Sequence, residues 1–171
     1  MIRVLAPIFA LLFASSVARA ANITWDPENG YQSDEVELSG LLPQEIQRVL
    51  DWMDKGRTAE ERGNYRTALR NYKRVHKRFP KSQYSPEALF QTSKIRLAQN
   101  NIDKAFDAFE LIAFVYPNYG SFNDTIGEMY KIAVRRQESH RQRLFLIFPG
   151  FLNLDRASRY FERIVSIAPY S

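Results

Sequence analysis

The sequence predicts an all-α solenoid of about three helix hairpins. Three observations predict it. Apolar residues recur at helical spacing from Gln44 onward. Short polar or proline-containing links break that spacing at regular intervals. One pattern of residues returns in register along the chain.

The first twenty residues stand apart from the fold. Met1-Ile2-Arg3 is a short positive start, Val4 to Ala14 is apolar but too short to span a bilayer comfortably, and Ala18-Arg19-Ala20 is a small-x-small cleavage pattern. Residues 1–20 therefore read as a secretory signal peptide cut after Ala20, with an uncleaved anchor helix as the alternative, and the mature chain is expected to leave the cytoplasm. Removing Arg3 and Arg19 from the 24 lysines and arginines leaves 22 bases against 19 acids. So small an excess, on an exported chain, disfavours nucleic acid as a partner. Cysteine is absent. Disulfides, thiolate zinc sites, catalytic cysteines and a lipid-bearing cysteine are thereby excluded.

Residues 21–43 read as an extended, irregular arm with Pro27, Gly30, Gly40 and Pro43, on which no helical period can be laid. Helices are predicted at about 44–62, 65–78, 85–99, 102–115, 122–138 and 154–168. Gly63-Asn64 and Asn100-Asn101 suit tight helix–helix turns. Pro80 and Pro117 end their helices, because proline disfavours helical geometry in the residue before it. Ser85-Pro86 offers a cap followed by a first-turn proline.

The helices repeat in pairs, at about 44–80, 85–117 and 121–169. Ala68, Tyr72, Val75 and Pro80 recur thirty-seven residues later as Ala105, Phe109, Ile112 and Pro117. Ala157, Phe161, Ile164 and Pro169 keep the same internal spacing. The alanine allows the two helices of a hairpin to cross closely, the aromatic fills the space between hairpins, and the proline stops the second helix. This resembles the tetratricopeptide pattern, with Trp52 at the large first-helix position and Gly56 at its small partner. Leu89 and Ser93 are milder versions in the second copy. The third copy matches in its second helix. The resemblance assigns Trp52, Ala68, Tyr72, Ala105 and Phe109 to the core.

The link Phe79-Pro-Lys-Ser-Gln-Tyr-Ser-Pro-Glu-Ala88 resembles the outer-membrane assembly lipoprotein family typified by BamD. The segment Arg141–Phe151, which interrupts the third hairpin, the closing Ala168-Pro-Tyr-Ser171 and the arm Trp25–Tyr31 are similar to one branch of that family. Two departures stand out. This chain lacks the lipidated cysteine that tethers the family, so a periplasmic protein without a lipid anchor is expected. The family also carries more repeats, and here no polar cap follows Tyr170. A truncated protein is expected, one that alone self-associates or is marginally stable.

Nothing in the sequence suggests catalysis. Of two histidines, His76 and His140, each reads as a solvated helix-end residue without a companion ligand at metal spacing. No phosphate loop or nucleophile elbow occurs. The chain is expected to be no enzyme, and to hold neither metal nor cofactor. Its expected partners are other polypeptides.

The resemblance places the first helix of each hairpin on the concave side. Met53, Arg57, Glu60 and Glu61 then face a bound peptide in repeat one, and Phe90, Lys94 and Leu97 do so in repeat two. Leu144, Phe145, Ile147, Phe148 and Phe151 belong to an apolar run that needs cover. They either fold back on the third repeat or dock on a partner or the outer membrane. By resemblance, the protein is a scaffold in outer-membrane β-barrel assembly that binds assembly components or client proteins. A periplasmic adaptor for cell-wall synthesis or division, or the binding portion of a larger enzyme, stays open as an alternative.

Overall fold

A computed structural model describes residues 23–33, 41–147 and 154–169. The expected signal peptide, residues 34–40 of the arm, Phe148, Phe151 and the final two residues lie outside the described residues. Among the described residues the elements are β1 (Ile23–Asp26), β2 (Gly30–Ser33), α1 (Pro43–Glu61), α2 (Tyr65–Arg78), α3 (Tyr84–Ala98), α4 (Ile102–Val115), α5 (Phe122–Ile147) and α6 (Leu154–Ile167). Each helix packs on its neighbours in the chain, with further contacts of α1 to α3 and α4 to α6. The fold is an all-α tetratricopeptide-type array of three hairpins.

The predicted turns have a specific geometry. After α1, the Gly63 amide donates to the Glu60 carbonyl at 2.8 Å and the Asn64 amide to the Ala59 carbonyl at 2.7 Å. Gly63 has a φ of 71°, which a residue without Cβ adopts without strain. After α3 the same two bonds recur, from Asn100 to Leu97 at 2.9 Å and from Asn101 to Arg96 at 2.8 Å. Asn100 takes the left-handed position there, with a φ of 59°. Asn64 then caps α2, its side chain accepting from the Thr67 amide at 3.2 Å. At the start of α1, Pro43 sits in the first turn and Glu45 reaches back to the Leu42 amide at 3.1 Å.

Three local expectations change. The arm is not irregular throughout. Its first part is an antiparallel hairpin pairing Trp25 with Tyr31 and Asp26 with Gly30. The Asp26 carboxylate accepts from the amides of Glu28 at 2.8 Å and Asn29 at 2.9 Å, which closes the three-residue turn. Those amide bonds also hold the Asp26 pKa below its usual value. Ser85 is not a cap, because α3 starts one residue earlier and Ser82 Oγ accepts from the Tyr84 amide at 3.1 Å. Finally, α5 does not stop near residue 138 but runs to Ile147. Nothing between Lys131 and Ile147 breaks a helix, and the next proline is Pro149. The basic run around His140 therefore lies inside a helix, not at its end.

The core forms two adjoining clusters. One holds Val49, Met53, Ala68, Tyr72, Val75, Tyr84 and Ile95. The other holds Ala105, Phe106, Phe109, Ile112, Met129, Ile132, Tyr160 and Ile164. Ala68, Tyr72, Ala105 and Phe109 are fully buried, and Ala157 and Ile164 are nearly so. Trp52 is only half-buried, its ring tilted against Phe79 at 6.0 Å. His76 is half-buried rather than solvated. Its Nδ1 lies 2.8 Å from Ser85 Oγ, which lies 2.9 Å from the Tyr116 hydroxyl; that hydroxyl donates to the Pro80 carbonyl at 2.6 Å. This chain of bonds ties the end of α2 to both ends of the following repeat.

Candidate polypeptide-binding site

The residues expected to face a peptide divide into two groups. Those of repeat one are taken up by the protein itself. Met53 is fully buried and cannot touch a partner, which corrects its assignment to the binding face. The cause is the N-terminal hairpin, which lies on α1. The Tyr31 amide donates to Asp54 Oδ1 at 3.2 Å, and the Tyr31 ring is buried in the same cluster as Met53. Arg57 stacks its guanidinium over the Trp25 ring at 4.5 Å and pairs with Glu61 at 3.0 Å. Glu60 accepts the Tyr72 hydroxyl at 3.0 Å. Of this group, only Glu61 is exposed.

Under the hairpin runs a buried polar seam. Burial, reinforced by Glu87, pushes the Tyr31 phenol well above its ordinary pKa. Burial and the neighbouring Tyr31 and Glu60 do the same for Tyr72. The Tyr31 hydroxyl is drawn toward that of Tyr72 without reaching good hydrogen-bond geometry with it or with any other described group. In the first turn of α3, Glu87 is buried. It accepts Gln91 Nε2 at 2.7 Å and the Tyr119 hydroxyl in a short bond. Burial and then Glu87 raise the Tyr119 pKa in turn. Each of these phenols stays protonated at any physiological pH, and Tyr72 and Tyr119 donate to Glu60 and Glu87.

The residues of repeat two come together. Phe90, Lys94 and Leu97 line one wall of a groove of about 430 Å3 between α3 and α5. Asn123, Asp124, Gly127, Glu128 and Lys131 line the other. Phe90 rests edge-on against Phe109 at 5.5 Å, which fixes its ring at the floor. Gly127 leaves open space where a Cβ would stand, so backbone can approach α5 closely there. Lys131 pairs with Glu128 at 2.7 Å, and Lys94 and Asp124 are exposed. The groove thus has an apolar floor between charges of both signs. That arrangement suits an extended segment held by side-chain anchors and by polar contacts to its backbone.

Leu144, Phe145 and Ile147 lie on the last turns of α5. The rest of their expected docking segment, Phe148 and Phe151, is outside the described residues. Among the described residues no group of three or more acids and histidines is placed to hold a metal. No described helix is long and apolar enough to cross a membrane.

Sequence reasoning missed the hairpin and the Glu87 seam. The hairpin had a signal, since Asp26-Pro-Glu-Asn-Gly30 is turn chemistry between Trp25 and Tyr31. Burial of Glu87 had none, because its partner Tyr119 lies 32 residues on, in the link after α4.

Stacked helix pairs of this kind define a helical-repeat protein. The tetratricopeptide repeat family matches over residues 52–82, from Trp52 at the large first-helix position through Pro80. No curated protein and no solved structure matches the chain. The fold and the family match together make this a tetratricopeptide-type protein, and such repeats mediate binding to other polypeptides.

Proposed function

We propose that this protein is a periplasmic scaffold of the BamD kind, which holds client or partner polypeptides during outer-membrane β-barrel assembly. The observation that carries the binding role is the groove between α3 and α5, where Phe90, Lys94 and Leu97 meet the charged face of α5. Export, suggested by residues 1–20, and the link Phe79–Ala88 support the periplasmic and assembly parts of the reading.

The mechanism is one of capture. An extended segment lays one apolar side chain against Phe90 and Leu97, while Lys94, Asp124 and the Lys131–Glu128 pair flank its backbone. The N-terminal hairpin fills the equivalent place on α1, so the open groove starts at the second repeat. Affinity purification of the tagged protein from envelope extract tests the reading. Barrel-assembly components should be recovered with the native protein and lost with Phe90→Asp. Recovery of cell-wall enzymes alone would replace assembly by a cell-wall adaptor role.

A further inference from the structure

The second helices carry a feature that the inner groove does not use. The α2 helix holds Arg66, Arg70, Lys73, Arg74, Lys77 and Arg78 and no acidic residue. All six are exposed. Among the described residues none of them is ion-paired. They border a groove of about 1070 Å3 that runs between α2 and α4. That volume is at the top of the range for small-molecule pockets, roughly 300–1,000 Å3, so the groove has room for more than a metabolite.

The floor is apolar: Trp52, Leu69, Leu89, Ala108 and Leu111 line it. Arg96 of α3 adds a seventh base. The one acid in the lining, Asp107, is already engaged by Arg163 at 3.2 Å. Six like charges within about three and a half turns of one helix repel one another, and an opposite charge that enters relieves that repulsion.

We infer that the α2–α4 groove is a second docking site, for an acidic amphipathic helix of a partner protein. The partner's apolar stripe sits on Trp52, Leu89 and Leu111, and its flanking carboxylates meet the bases of α2. A helix laid in a groove by its apolar face is a general mode of recognition. Concavity decides against an anionic membrane as the occupant. Leu89 and Ala108 are nearly buried at the floor, where inserted side chains reach and a flat bilayer does not. The site uses Leu89 and Arg96 of α3, not the Phe90, Lys94 and Leu97 that line the α3–α5 groove, so it stands or falls separately from the function proposed above.

The test uses a fluorescein-labelled synthetic helix of about 18 residues, a turn longer than the 14-residue α2 and α4, with leucines on one face and glutamates on the others. Its controls are a scrambled peptide of the same composition and phosphatidylglycerol vesicles. The amphipathic peptide should bind the whole protein, and Lys73→Glu with Lys77→Glu should weaken it about tenfold or more, as should a rise in salt. Leu111→Gln should weaken it with no change in salt dependence. These side chains are exposed, and an unchanged thermal melt shows that the variants still fold. Three results would each overturn the inference: equal binding of the scrambled peptide, binding unaffected by the charge reversals, or charge-dependent binding of the vesicles without the peptide.

Discussion

A Cβ placed on Gly56 would lie 2.5 Å from Cε1 of Tyr72, so α1 and α2 cross where only glycine fits. The Tyr72 ring is fully buried, and its hydroxyl is anchored to Glu60, so the ring has little room to yield. Gly56→Ala gains up to about 1 kcal/mol of helix propensity but overpacks the crossing at a cost of about 1–3 kcal/mol. Denaturant unfolding should show a net loss of stability. In a Tyr72→Leu background the same change should cost less, since the ring it meets is gone. Equal costs in the two backgrounds would show that the pair does not set the crossing.

Between the last two hairpins the equivalent role falls to Phe106. Its ring stacks on Tyr160 at 4.0 Å, and the Arg163 guanidinium lies over it at 4.9 Å. Arg163 also grips Glu110, and the Tyr160 hydroxyl donates to Asp103 at 2.5 Å. Burial and the Asp103 bond push the Tyr160 pKa up to about 12. Phe106→Ala should cost about 3–5 kcal/mol and speed hydrogen exchange in α6. Arg163→Met should cost under about 1 kcal/mol, because its ion pairs are solvent-screened.

Gly30 has a φ of 73°, and a Cβ there would lie 2.7 Å from Asp54 Oδ1. Gly30→Ala should therefore lift the hairpin from α1 and break the Tyr31–Asp54 bond. In a Trp52→Phe background Trp25 is the sole tryptophan, and its emission should shift to the red as it leaves Arg57. Unchanged emission would mean that the hairpin stays docked without this contact.

Burial, and then Lys77, lower the pKa of His76 below the ordinary histidine value of 6.5. The unfolded chain then binds more protons than the folded one in the window below 6.5, so stability rises with pH there. The contribution is complete above pH 6.5 and is lost as pH falls toward the folded value. Melting temperature should drop between pH 7.5 and 5.5, and His76→Gln should flatten that drop. An identical slope in the variant would remove His76 from the account.

Much of the fold could be read from local chemistry. Gly63-Asn64 and Asn100-Asn101 announce their turns because left-handed backbone is a property of the residue itself. Ala68, Tyr72, Ala105 and Phe109 announce the core through their recurrence. The candidate site was readable only in part. Phe90, Lys94 and Leu97 lie one helical turn apart, so one groove wall follows from spacing alone. Met53 sits at an equivalent position on α1, yet it is buried because a hairpin more than twenty residues away covers it. Long-range cover of that kind leaves no mark on the helix it covers. The same holds for Glu87 and Tyr119, which meet from opposite ends of the second hairpin.

The claim that the α3–α5 groove holds a polypeptide is tested most directly by a photo-crosslinking amino acid at position 94 in intact cells, with position 162 on α6 as the control. Crosslinks to barrel-assembly components or their clients should form from position 94 and not from position 162. Absence of any adduct from position 94, or the same adducts from both positions, would contradict the account.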